Sequence, residues 1–178
     1  MKLKINKSLY LLIWGTISCF GMALAGDARA DDVSFNKVEI NYPHDECSFK
    51  ASPIDFCDQK HLDAYDVALR TQSVNFNKHY IILPIKEWRD SDERSIVAID
   101  KNTGVVYPVP IDSFTKSVGK TKKASAHPAL SFSKDSNELC ITGSIFVYRS
   151  SQNGRFCFQF SGDKFVGYHT TYMGHDQP

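Results

Sequence analysis

Arg155-Phe156-Cys157-Phe158-Gln159-Phe160-Ser161 is the stretch on which the fold turns. Its three phenylalanines stand two residues apart, so on a pleated strand they share one face while Cys157 and Gln159 take the other. The stretch sits inside a longer region, Ala129 to Tyr172, where short apolar and aromatic runs alternate with turn residues. These are Lys134-Asp135-Ser136-Asn137, Ser150-Ser151-Gln152-Asn153-Gly154 and Gly162-Asp163. The alternation predicts an antiparallel β-meander. The chain therefore reads as mainly β, or as a β-rich α+β domain, with its antiparallel sheet forming a small sandwich or open barrel and at most one or two short helices.

Upstream, Ser95 to Asp100 and Val105 to Ile111 flank Lys101-Asn102-Thr103-Gly104, two β-branched runs around an Asn-x-Gly turn. Pro108 and Pro110 remove N–H donors from one side of the second run, which predicts an edge strand. His79 to Leu83 predicts another strand, with Pro84 marking a sheet edge or bulge. Val33 to Tyr42 predicts the first strand. Leu62, Tyr65 and Leu69, spaced three and four apart behind an Asp58 cap, predict a short helix, although Val67 to Phe76 reads equally as a strand. The core expected from these runs comprises Leu83, Ile96, Val97, Ile99, Leu130, Phe132, Leu139, Ile141, Phe156, Phe158 and Phe160. Lys116, Lys120, Lys122 and Lys123 fall among small polar residues and predict a mobile Lys-rich loop at about 113–128, either a solvated connection or a basic docking segment.

The N-terminus carries Lys2, Lys4 and Lys7, an apolar run from Leu9 to Phe20, and Ala28-Arg29-Ala30. This order is that of a secretory signal peptide over residues 1–30, leaving one domain at 31–178. The apolar run is shorter than the roughly 20 residues of a membrane span. Lipidation at Cys19 is the minor alternative to simple cleavage. The whole chain has 21 bases and 20 acids, a net charge of +1. Four of those bases and one acid lie in the leader, so the mature chain has 17 bases and 19 acids and a net charge of −2. That balance offers no nucleic-acid footprint. Outside the leader remain Cys47, Cys57, Cys140 and Cys157, an even set that predicts two disulfides in a periplasmic or secreted protein. Short loops favour Cys47–Cys57 with Cys140–Cys157 among the three connectivities. If the last long hairpin closes at Asn153-Gly154, however, Cys157 falls opposite Ser150 and the second bridge requires a bend at Gly143.

No Gly-x-Ser-x-Gly elbow, His-Glu-x-x-His, phosphate loop or dinucleotide fingerprint is present. No catalytic residue, metal or cofactor is assigned; the tail His169 to His175 groups imidazole and thioether without a ligand spacing. The candidate binding residues are His44, Asp45 and Glu46 beside the first bridge, Trp88 in a charged loop, and Lys120, Lys122 and Lys123. Tyr107, Tyr148, Tyr168 and Tyr172 are candidate interface aromatics. Small bridged β domains without catalytic motifs suit pre-organised protein recognition. The expectation is an inhibitor, immunity-type or accessory protein acting on another envelope or secreted protein such as a toxin or cell-wall enzyme. The alternative is a small secreted hydrolase with a His/carboxylate site.

Overall fold

The computed structural model describes residues 33–116 and 129–174. The expected leader, the three lysines Lys120, Lys122 and Lys123, and His175 lie outside the described residues. The elements are β1 (Lys37–Val38), β2 (His44–Asp45), β3 (Ser48–Phe49), α1 (Gln59–Thr71), β4 (Tyr80–Lys86), β5 (Arg94–Asp100), β6 (Val105–Pro108), β7 (Ser113–Lys116), β8 (Leu130–Ser131), β9 (Glu138–Val147), β10 (Ser150–Ser161) and β11 (Lys164–Gly167), followed by a 3-10 turn at Thr171–Met173. Nine strands form one curled half-barrel sheet in the order β1-β6-β5-β7-β9-β10-β11, with β4 beside β5 and β8 beside β9. The mainly β expectation is met. The sheet is mixed rather than wholly antiparallel, because β1 runs parallel to β6.

The long hairpin β9–β10 corrects the expected register. Ser150 pairs with Val147, so the turn is Tyr148-Arg149, and Asn153-Gly154 lies within β10 opposite Ser144 and Gly143. Cys157 then stands directly across from Cys140, with Cα atoms 4.0 Å apart, and the bridge forms within an unbroken register. The Gly162-Asp163 turn joins β10 to β11 as expected. Phe156, Phe158 and Phe160 share the buried face, while Gln159 faces solvent. At the Lys101–Gly104 turn, Gly104 has a φ of 70°, and a Cβ there would come within 2.1 Å of the Ser34 carbonyl oxygen.

β6 is not the free edge that its prolines predict. β1 lies alongside it as far as Val106, its flanking N–H groups at Asn36 and Glu39 donating to Gly104 and Val106 carbonyls. Pro108 has no N–H to offer and stops that ladder after two residues. Val33 to Tyr42 contributes only the two-residue β1 as strand, though Ile40 and Tyr42 are buried. α1 extends through Thr71, which rules out the strand reading of its second half. Asp58 caps it by accepting the His61 N–H, and its buried stripe is His61, Tyr65, Ala68 and Leu69. Ser113–Lys116, expected within the loop, form β7 between β5 and β9, with Ser113 and Phe114 buried.

Of the expected core, Ile96, Val97, Ile99, Leu139, Ile141 and the three phenylalanines are buried, whereas Leu83, Leu130 and Phe132 are half-buried against it. Inside the curl, Phe160 contacts Tyr80 at 4.7 Å, Tyr107 at 5.3 Å and Phe165 at 4.9 Å between ring centroids. Tyr107, half-buried, therefore takes part in this aromatic packing.

Candidate functional site

A cleft of about 590 Å³ opens where three segments meet. One wall is Ala51-Ser52-Pro53 from the bridged loop, the second is the loop carrying Trp88 and Glu93, and the third is the turn at Arg149 with Ser150 and Ser151. Asp112, Ser113 and Phe146 complete it.

The bridged loop holds its shape through its own apolar residues. Phe49, Ile54 and Phe56 are buried, Phe49 lies edge-on to Phe56 at 5.7 Å, and it stacks on Tyr172 at 5.0 Å. The Cys47–Cys57 bridge closes the loop as the cysteine spacing predicts. His44, Asp45 and Glu46 are exposed on the small β2–β3 hairpin that leads into Ala51. They stand beside the cleft and do not line it. His44 is tied locally, its Nδ1 donating to the Tyr42 carbonyl at 2.8 Å. Trp88 does line the cleft and is 43% exposed. Tyr148 is exposed beside it, Tyr168 is half-buried against Phe156, and Tyr172 is buried, contrary to its expected role as an interface aromatic.

Two acids fix the walls. Asp112, 4% exposed, accepts hydrogen bonds from Ser52 Oγ at 2.6 Å, Tyr172 OH at 2.5 Å and Tyr148 N–H at 3.0 Å. One carboxylate thus joins the bridged loop, the C-terminal 3-10 turn and the β9–β10 turn. Burial, together with the hydrogen bond to Asp112, raises the Tyr172 phenol above its ordinary range, so it stays a donor. Glu87 fastens the Trp88 loop. Its oxygens meet His61 Nε2 at 3.1 Å and Lys60 Nζ at 2.5 Å, and the Ser95 hydroxyl bonds to it as well. Burial pushes the Glu87 pKa upward, but the hydrogen bonds from His61, Lys60 and Ser95 outweigh this and hold it at about 2. At the mouth of the loop the Glu87 N–H donates to the Glu93 carbonyl at 3.0 Å, closing the loop from which both Trp88 and Glu93 line the cleft.

His61 also places Nδ1 2.8 Å from Asp58, and Ser95 Oγ lies 3.5 Å from Nε2. This line of serine, imidazole and carboxylate is shut off from solvent at its serine and imidazole. His61 and Ser95 are both 0% exposed, and Nε2 already faces Glu87. Sequence reasoning missed His61, although its spacing from Tyr65 and Leu69 places it on the buried stripe. Glu93, Asp112, Ser113 and Arg149 were missed too. Asp112, a lone acid inside the apolar run from Val105 to Phe114, was the one legible signal.

Backbone strain gathers around the same cleft. Six described non-glycine residues have positive φ: Glu46, Ala51, Asn77, Lys78, Tyr148 and Arg149. Four of these six lie in the β2–β3 hairpin, the bridged loop or the Arg149 turn, where each costs about 1–3 kcal/mol that its surroundings must offset.

In comparisons with known proteins, no family model, curated sequence or solved structure matches the chain. The two disulfides fit an oxidising compartment outside the cytoplasm. Among the described residues no helix is long and apolar enough to cross a membrane.

Proposed function

We propose that the protein is exported and acts by binding another envelope or secreted protein, as an inhibitor or immunity-type partner, with the cleft and its rim as the contact surface. The observation that carries this reading is the held shape of the rim. Left-handed non-glycine residues are retained at Glu46, Ala51, Tyr148 and Arg149, and Asp112 ties the walls together from below. A rim already ordered loses little entropy on docking, so more of its contact energy appears as affinity. Exposed Asp45 and Glu46 beside the bridge, and exposed Trp88 across the cleft, supply charge and an aromatic anchor.

The reading is tested by capture from an envelope extract with the wild type and with the Asp45→Ala, Glu46→Ala double variant. A single stoichiometric partner, held by the wild type and weakened at least about tenfold in the variant, is the expected result. Absence of any stoichiometric partner, or a partner held equally by both, overturns the binding role of this rim.

A further inference from the structure

Charge is unbalanced inside the cleft. Glu93 and Asp112 bring two carboxylates, Arg149 brings one guanidinium, and among the described residues no cation pairs with either acid. Asp112 is already engaged by three hydrogen bonds from the walls. Glu93 accepts one side-chain bond, from Ser113 Oγ to Oε2 at 2.9 Å. The exposed indole of Trp88 lines the same cleft, on the loop that the backbone bond between Glu87 and Glu93 closes.

We infer that this cleft receives one arginine side chain projecting from the partner, its guanidinium laid on the Trp88 indole and bonded to the Glu93 carboxylate. This inference rests on the protein-binding reading above. A guanidinium combines a flat face, which stacks on an indole, with a fork of N–H donors that matches a carboxylate. An anion meets two negative groups here. A neutral sugar stacks on an indole equally well but responds little to the charge at Glu93, so charge dependence separates the two.

The test uses the full-length protein labelled with ¹⁵N, whose two tryptophans are Trp14 and Trp88. Trp88→Phe assigns the Trp88 indole N–H signal. Nα-acetyl-arginine amide is titrated against its neutral isostere, Nα-acetyl-citrulline amide, with chitotriose as the sugar probe. The expected result is a saturable shift of the Trp88 signal with the arginine compound, weaker by at least about fivefold with citrulline and in Glu93→Gln. Glutamine keeps an acceptor for Ser113, and the citrulline comparison requires no variant. Equal binding of citrulline, no response to arginine, or a chitotriose response indifferent to Glu93→Gln overturns the inference. In the capture experiment, a partner held fully by Glu93→Gln overturns this inference alone. No partner for the wild type, with arginine still shifting Trp88, overturns the protein-binding reading and leaves only the arginine-binding chemistry of the cleft.

Discussion

Tyr148 and Arg149 turn the longest hairpin with φ of 42° and 62°, and neither is glycine. A two-residue turn with both residues left-handed matches the twist of the flanking strands, which is why Asn-Gly usually occupies it. Asn153-Gly154 offers that dipeptide five residues later, yet the chain leaves it inside β10. The reason lies elsewhere in the molecule. Closing at Tyr148-Arg149 brings Cys140 opposite Cys157, keeps all three phenylalanines of β10 inward, and gives the Tyr148 N–H to Asp112. Those gains outweigh a local strain of a few kcal/mol. Replacing Arg149 by glycine should therefore raise stability by about 1 kcal/mol in urea unfolding, because glycine adopts positive φ without the Cβ penalty. A loss of stability in Arg149→Gly would show that the side chain contributes more than the strain costs.

Among the elements, β4 shows how an edge is closed. Among the described strands it pairs only with β5, and Pro84 sits within it, so the sheet edge predicted from that proline is present. Asn75 covers the next outward position, its Oδ1 accepting the Ile82 N–H at 2.7 Å and its Nδ2 donating to the Ile82 carbonyl. The Tyr80 N–H is taken by the Phe76 carbonyl. With those groups occupied, β4 offers a poor template for another strand. The two disulfides belong to different elements and should separate in their effects. Cys140–Cys157 lies six residues along β9 from Phe146, about 20 Å from the cleft at ~3.3 Å per residue. Cys140→Ser with Cys157→Ser should cost about 2–4 kcal/mol of stability and leave affinity for the partner unchanged in the folded fraction. Cys47→Ser with Cys57→Ser should weaken binding as well, since it frees a cleft wall. Calorimetric unfolding and a binding isotherm on each pair check this, and equal binding losses in the two pairs would refute the assignment of the wall.

Across the whole molecule, the curled sheet is drawn together by side chains. Asn41 Nδ2 donates to the Asp163 carbonyl at 2.9 Å, and Tyr42 OH donates to the Phe165 carbonyl, linking the segment after β1 to the β11 hairpin. Burial pushes the Tyr42 phenol up to about 12, so this link persists through neutral pH. The acid side is governed by Glu87. Its folded pKa, about 2, lies below the ordinary 4.5, so its contribution is full above about 4.5 and is lost as the pH falls toward about 2. The thermal midpoint of the wild type should drop across that window, and Glu87→Gln should be less stable at pH 7 with a shallower acid dependence. An equally steep acid loss in Glu87→Gln would place the pH sensitivity elsewhere. What the sequence by itself determined is local: the inward face of Phe156, Phe158 and Phe160, the Asp58 cap, the turns at Gly104 and Gly162, the short-range cysteine pairing and the aromatic at Trp88. Apart from the cysteine pairs, which are 10 and 17 positions apart, each depends on residues a few positions apart, where periodicity and turn chemistry act directly. Only the tertiary structure decided which turn closes the long hairpin, that β1 covers β6, and that Ser52, Glu93, Asp112 and Arg149 converge on one cleft. Those outcomes depend on groups as far apart as Ser52 and Asp112, whose hydrogen bond becomes favourable only once burial has removed the competing water.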